Sequence, residues 1–176
     1  MASEREKEVF EIDRFLAEPK TLIGPLPRWG KSKFFGKTEP EMEAKWPIAD
    51  SLGIVGRGQL RFALRQERRQ CPSVPVIYGG KSVLRLDLEE PHVCEPNPHW
   101  AQYLIDIPAQ VCGSHIHTWA GNRQFILDQE VWEIPCRLPL NSRIKKLDQA
   151  VPWLASQINI SLEPDQHGFS LPGSLF

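Results

Sequence analysis

Two histidines separated by one residue, His115 and His117, stand in the run Cys-Gly-Ser-His-Ile-His-Thr-Trp at 112–119, in a chain that has five histidines in all. Alternate side chains of a strand share a face, so both imidazoles would project together, with Ile116 and Thr118 on the other side. The run Val-Leu-Arg-Leu-Asp-Leu at 83–88 has the same period: Arg85 and Asp87 share one face, and Leu84, Leu86 and Leu88 the other. His92 follows five residues after Asp87, just past the end of that strand. If the two strands are neighbours, Arg85, Asp87, His92, His115 and His117 converge on one polar patch beside Trp119.

Such a cluster suits three chemistries. Cleavage of a phosphodiester needs one group to take a proton and another to give one near neutral pH, where imidazole titrates. In that reading His117 and His115 are base and acid, Asp87 orients a histidine, and Arg85 offsets charge on the phosphorane-like transition state. Secondly, two histidines on one strand can grip a divalent metal, with His92 or Asp87 as third ligand and water as the fourth. Cys94 and Cys112 would be softer alternatives. Thirdly, the rings can hydrogen-bond a ligand or a loop. Against all three stands a plain structural reading, in which both rings are packing residues, Asp87 pairs with Arg85, and His92 shapes the turn after Pro91. His99 and His167 read as loop and tail residues outside the patch.

The elements that would carry this patch follow from hydrophobic period. Ser3 can cap a helix over 3–18, with Glu6 completing a capping box and Val9, Ile12, Leu16, Phe10 and Phe15 forming an apolar stripe. Residues 19–56, rich in Gly and Pro, read as an irregular connection with a helical turn at 39–45. In 58–68, Leu60, Phe62 and Leu64 alternate with Arg61, Ala63 and Arg65, which predicts a strand. Val-Pro-Val-Ile-Tyr, a Gly79-Gly80 turn and Ser-Val-Leu-Arg-Leu-Asp-Leu predict a hairpin. Runs at 101–107, 114–119 and 129–135 supply further strands within a sheet region 58–136. A C-terminal helix over about 142–159 is interrupted by Pro152, which should kink it or open its first turn with Asp148 as the cap. The fold expected is one α+β domain over 1–176, a largely antiparallel sheet of four to five strands packed against N-terminal and C-terminal helices.

Composition permits this and excludes little. At 176 residues, 41% hydrophobic and 24% charged, the chain can bury one core. Its net charge of −1 is neutral on average, but cations cluster. Arg28, Lys31, Lys33 and Lys37 carry no acid between them and alternate with Trp29 and two phenylalanines. Arg57, Arg61 and Arg65 recur along the strand face. Trp29, Lys31, Lys33, Arg57, Arg61 and Arg65 are therefore the expected contacts to nucleic-acid phosphates and bases, against a reading as solvated charge with Trp29 anchoring a loop. Gly24 to Ser32 lacks the four-residue spacing of a phosphate-binding loop and carries two prolines, so no nucleotide site is expected there. The four cysteines at 71, 94, 112 and 136 form no C-x-x-C pair, and free thiols in small apolar niches are expected, with cytoplasmic residence and no membrane contact.

The order Arg-Leu-Asp (85–87), Pro-His (91–92), Asn-Pro (97–98), His-Ile-His (115–117) and Trp119, closed by an amphipathic helix, resembles a family of small bacterial and phage proteins of unknown function. The likeness spans roughly 58–160 and implies that Arg85, Asp87, His92, His115 and His117 belong together. In that family Pro-His and Asn-Pro are nearly adjacent, whereas Val93 to Pro96 separate them here. The functional expectation is a nucleic-acid-processing protein, an RNA-cleaving toxin or defence-type factor with RNA or DNA and a cognate inhibitor protein as partners. The alternatives are a binding protein of a mobile element acting by occupancy and a metal-dependent hydrolase.

Overall fold

The computed structural model describes residues 3–32, 41–68, 70–103, 106–129 and 131–173. Lys33 lies outside them. Helix α1 (Glu4–Ala17) begins with the expected box: Glu6 N donates to Ser3 Oγ at 3.1 Å and Ser3 N to Glu6 Oε2 at 2.6 Å. Val9 and Ile12 are buried, while Phe10, one residue round the helix from Val9, is 66% exposed and lies off the stripe.

The strands are β1 (Lys20–Leu22), β2 (Gly30–Lys31), β3 (Met42–Asp50), β4 (Val55–Leu64), β5 (Ser73–Tyr78), β6 (Lys81–Asp87), β7 (Cys94–Pro96), β8 (Gln110–Cys112), β9 (His115–His117), β10 (Leu138–Pro139) and β11 (Ile160–Ser161). Nine form one sheet in the order β10-β9-β6-β5-β4-β3-β1-β11, with β2 on β3; β7 and β8 make a separate ribbon. All pairs are antiparallel except β1 with β11. Helix α2 (Trp119–Asp128) follows β9, and α3 (Leu147–Gln157) precedes β11. The class is α+β, with helices in the N- and C-terminal regions. Alternate strand residues, Leu60, Phe62, Val74, Val76, Leu84, Leu86 and Ile116 among them, join Val9 and Ile12 of α1, Trp119 and Ile126 of α2 and Val151 and Leu154 of α3 in one core.

The sheet is about twice as wide as expected, because the connection 19–56 contains β1, β2 and β3. In β3 the buried Ala44, Trp46 and Ile48 alternate with outward residues as a strand requires. Pro47, at a register shift between β3 and β4, obscured that period; of the helical turn expected at 39–45, residues 39–40 lie outside the described residues and 42–45 belong to this strand. Of the strand expected at 101–107, residues 101–103 belong to a 3₁₀ turn (His99–Tyr103), 104–105 lie outside the described residues and 106–107 have no regular structure; nor has the described part of 129–135. The last helix begins at Leu147, five residues later than expected, with Pro152 inside it. Lys146 is its N-cap residue and Asp148 lies in the first turn.

The cysteines depart from expectation. Cys94 and Cys112, directly paired across β7 and β8, form a disulfide and are exposed. Facing positions of an antiparallel ribbon bring two thiols together that sequence spacing keeps apart, so these two are neither free thiols nor available as metal ligands. Cys71 and Cys136 remain thiols. Reducing the bridge is expected to lower the unfolding free energy by about 3 kcal/mol, the scale for a short closed loop. Denaturant titration with and without a dithiol reductant measures it; an unchanged midpoint would mean that the ribbon is held by its other contacts. Among the described residues no helix is long and apolar enough to cross a membrane.

Candidate functional site

Sheet register builds the cluster directly. On the face opposite the core, one row across the strands reads Ala63, Ser73, Asp87, His115, and the next holds Pro75, Arg85, His117. Arg85, Asp87, His115 and His117 therefore meet because β6 and β9 are neighbours with Arg85 opposite His117 and Asp87 opposite His115. Both histidines are nearly sealed from solvent, 3% and 1% exposed. His92 is not in the cluster: it lies in the turn after β6, 77% exposed, with Nδ1 at 3.4 Å from Glu90. Trp119 faces away as well, donating from Nε1 to Asp13 of α1 at 2.7 Å.

Each group in the cluster is held. Arg85 donates from Nε to Asp87 Oδ2 at 2.8 Å, and its NH2 group stands 2.7 Å from His117 Nε2. Asp87 Oδ2 is 3.4 Å from His115 Nε2 and 3.4 Å from His117 Nε2. The far side of each ring is fixed on backbone: His115 Nδ1 on the Gly113 carbonyl at 2.9 Å and His117 Nδ1 on the Ile134 carbonyl at 2.6 Å. A carbonyl only accepts, so both Nδ1 atoms carry hydrogen. Burial opposes the ionised form of Asp87, but the His115 and His117 rings beside it and the Arg85 charge outweigh it. Its carboxyl is held well below the ordinary range. Burial likewise opposes charge on both rings. For His115 the Asp87 partner wins and the pKa rises; for His117 burial, with Arg85 alongside, wins and it falls.

The segment that covers His117 has no strand partner, and two asparagines take that role. Asn122, fully buried on α2, accepts from Cys136 N at 2.7 Å and donates to the Cys136 carbonyl at 3.0 Å. Asn97 accepts from Arg137 N at 2.8 Å and donates to the Arg137 and Pro108 carbonyls at 2.8 and 2.9 Å. Sequence reading gave Asn122 no role; its only signal was a polar residue at a core-facing position of an amphipathic run, and α2 itself went unrecognised.

Asp87, His115 and Arg85 open on a cleft of about 320 Å³, whose walls also carry Arg61, Arg65 and Arg68. Arg61 binds Glu43 through Nε and NH2, both at 3.0 Å, and Arg68 pairs with Glu89. Arg65 is exposed. Cys71 lines the same cleft, but burial, with Glu89 alongside, pushes its thiol up to about 11, which removes it as a nucleophile near neutral pH. Of the other expected phosphate contacts, Arg57 leaves the cleft to pair with Glu11 at 2.9 Å and cover the Tyr78 ring. Trp29 is a core anchor, stacked on Phe169 and donating to the Ser170 carbonyl at 2.9 Å. Lys31 is exposed on β2, a strand that among the described residues pairs with β3 and does not line the cleft. No family profile, curated protein or solved structure matches this chain.

Proposed function

We propose that the chain hydrolyses phosphodiester bonds in nucleic acid, RNA first among them, as a toxin or defence-type factor. One observation carries this reading: Arg85, Asp87 and His115 open on a cleft whose walls carry Arg61, Arg65 and Arg68, with His117 buried directly behind them against Arg85. Such hydrolysis needs a nucleophile relieved of its proton and a cation beside the charge that develops on phosphorus. Asp87 and the two imidazoles answer the first need, and Arg85, 37% exposed beside an 18% exposed Asp87, the second. Arg61 and Arg68, already paired with acids, shape the groove, whereas Arg65 is free to meet a neighbouring phosphate.

The burial of both rings favours one competing reading, a binding protein of a mobile element that acts by occupancy. Incubating the purified chain with single- and double-stranded RNA and DNA separates the two. Cleavage of RNA is expected, with substrate binding weakened about tenfold in Arg65→Ala, the loss of one charged hydrogen bond, at an unchanged melting midpoint. Binding without cleavage of any substrate would establish occupancy instead.

A further inference from the structure

We infer that Asp87, His115 and His117 bind one divalent first-row transition cation of the zinc type, and that Arg85 occupies the place of that cation in its absence. The donor atoms are already gathered. Asp87 Oδ2 lies 3.4 Å from each Nε2, and the three atoms are all within 4.8 Å of one another. A tetrahedral ion with bonds of about 2.0–2.1 Å to nitrogen and oxygen sets its ligand atoms roughly 3.4 Å apart, which both oxygen–nitrogen spacings already meet.

The outer partners agree. Both Nδ1–H groups are committed to backbone carbonyls, those of Gly113 and Ile134. That leaves the Nε2 atoms facing inward, as the second shell of a metal-binding histidine does. In this tautomer a neutral His115 would aim a lone pair at the Asp87 carboxylate, an arrangement that calls for a positive charge between them. The place beside His117 is already filled by one: the Arg85 guanidinium binds two of the three donors, Asp87 Oδ2 through Nε and His117 Nε2 through NH2. A guanidinium bridging two converging ligands is a stand-in for a bound cation, and with 37% of its side chain in solvent it has a route out into the cleft. Two imidazoles and one carboxylate suit zinc, cobalt, iron or manganese, whereas magnesium and calcium prefer oxygen alone. His92 is too far out, and Cys94 and Cys112 are joined to each other, so neither adds a ligand. The use of such an ion rests on the hydrolase reading: it would lower the pKa of a water bound on the cleft side, while the displaced Arg85 faces the phosphate.

The test is a titration of the metal-stripped full chain with Co(II), followed by visible absorption, and with Zn(II) by calorimetry. Wild type is compared with His115→Ala and Arg85→Met, with circular dichroism as the check on folding. One equivalent per chain is expected. His115→Ala should weaken binding at least about 100-fold, beyond what outer partners contribute. Arg85→Met should tighten it about tenfold, since a competing positive charge is gone. Absence of saturable binding in both wild type and Arg85→Met overturns the site, as does equal binding by a folded His115→Ala. Affinity unchanged in Arg85→Met overturns the stand-in role, and that variant removes no ligand, so it remains informative if His115→Ala does not fold. RNA cleavage that persists in metal-free protein would sink the metal and leave the hydrolase, whereas tight metal binding without cleavage would do the reverse.

Discussion

Asp87→Asn is expected to lower RNA cleavage about 10³-fold, the middle of the range for disabling the acid–base pair that Asp87 orients. Asp87 touches every other member of the cluster: Arg85 at 2.8 Å and both histidines at 3.4 Å. Asparagine keeps the shape and an oxygen for Arg85 Nε but removes the negative charge that the two imidazoles and the guanidinium share. The cost to folding should be smaller, about 1–3 kcal/mol, because Arg85 is partly solvated and can turn outward. The measurements are kcat/KM on an RNA substrate and the urea midpoint of the same preparation. Activity within tenfold of wild type at an intact midpoint would make the cluster a structural one. Asp87→Ala, which also opens a hole in the floor, should be no more active and less stable.

How far the sequence could lead to this site follows from which contacts are periodic. Period-two alternation in 83–88 and 115–117 put Arg85 with Asp87 and His115 with His117, and the only step beyond it was that the two strands pair, which they do. Period also exposed the Gly79-Gly80 hairpin and the Ser3 cap, since both depend on residues within a few positions of each other. Where period fails, so does foresight. His92 was drawn in by its closeness to Asp87 along the chain, but the turn at Pro91 carries it into solvent. Arg57, in step with Arg61 on β4 and with Arg65 just past its end, is taken out of the row by Glu11, 46 residues away on α1. The Cys94–Cys112 bridge depends on a ribbon built from two three-residue strands, too short to show any alternation. Strand β3 hid behind its proline. The backbone carbonyls of Gly113 and Ile134 that set both tautomers leave no trace in residue type at all.

The segment carrying Ile134 leads to the other large effect. Asn122→Ala is expected to cost about 4 kcal/mol and to loosen His117 as well. The side chain is fully buried and makes three hydrogen bonds: Nδ2 to the Thr118 and Cys136 carbonyls at 2.8 and 3.0 Å, and Oδ1 from Cys136 N at 2.7 Å. Truncation leaves the Cys136 N–H and carbonyl without their side-chain partner, at about 1–3 kcal/mol for each one that water cannot reach, while the Thr118 carbonyl keeps its helix bond. Asn122→Asp separates hydrogen bonding from volume. It fills the same space and still accepts from Cys136 N, but it sets a carboxylate against two carbonyl oxygens, so it should be no better than alanine. Because Cys136 is two residues from Ile134, freeing it releases the carbonyl that holds His117 Nδ1 at 2.6 Å. The downfield Nδ1–H resonance of His117 in proton NMR should broaden or vanish in Asn122→Ala at temperatures where the chain is still folded. If stability falls while that resonance stays sharp, the Ile134 carbonyl is held by some other contact and Asn122 serves packing alone. Loss of the resonance ahead of unfolding would make Asn122 a positioning residue for the cluster, acting on His117 from the far side of the sheet's polar face through an irregular segment of backbone.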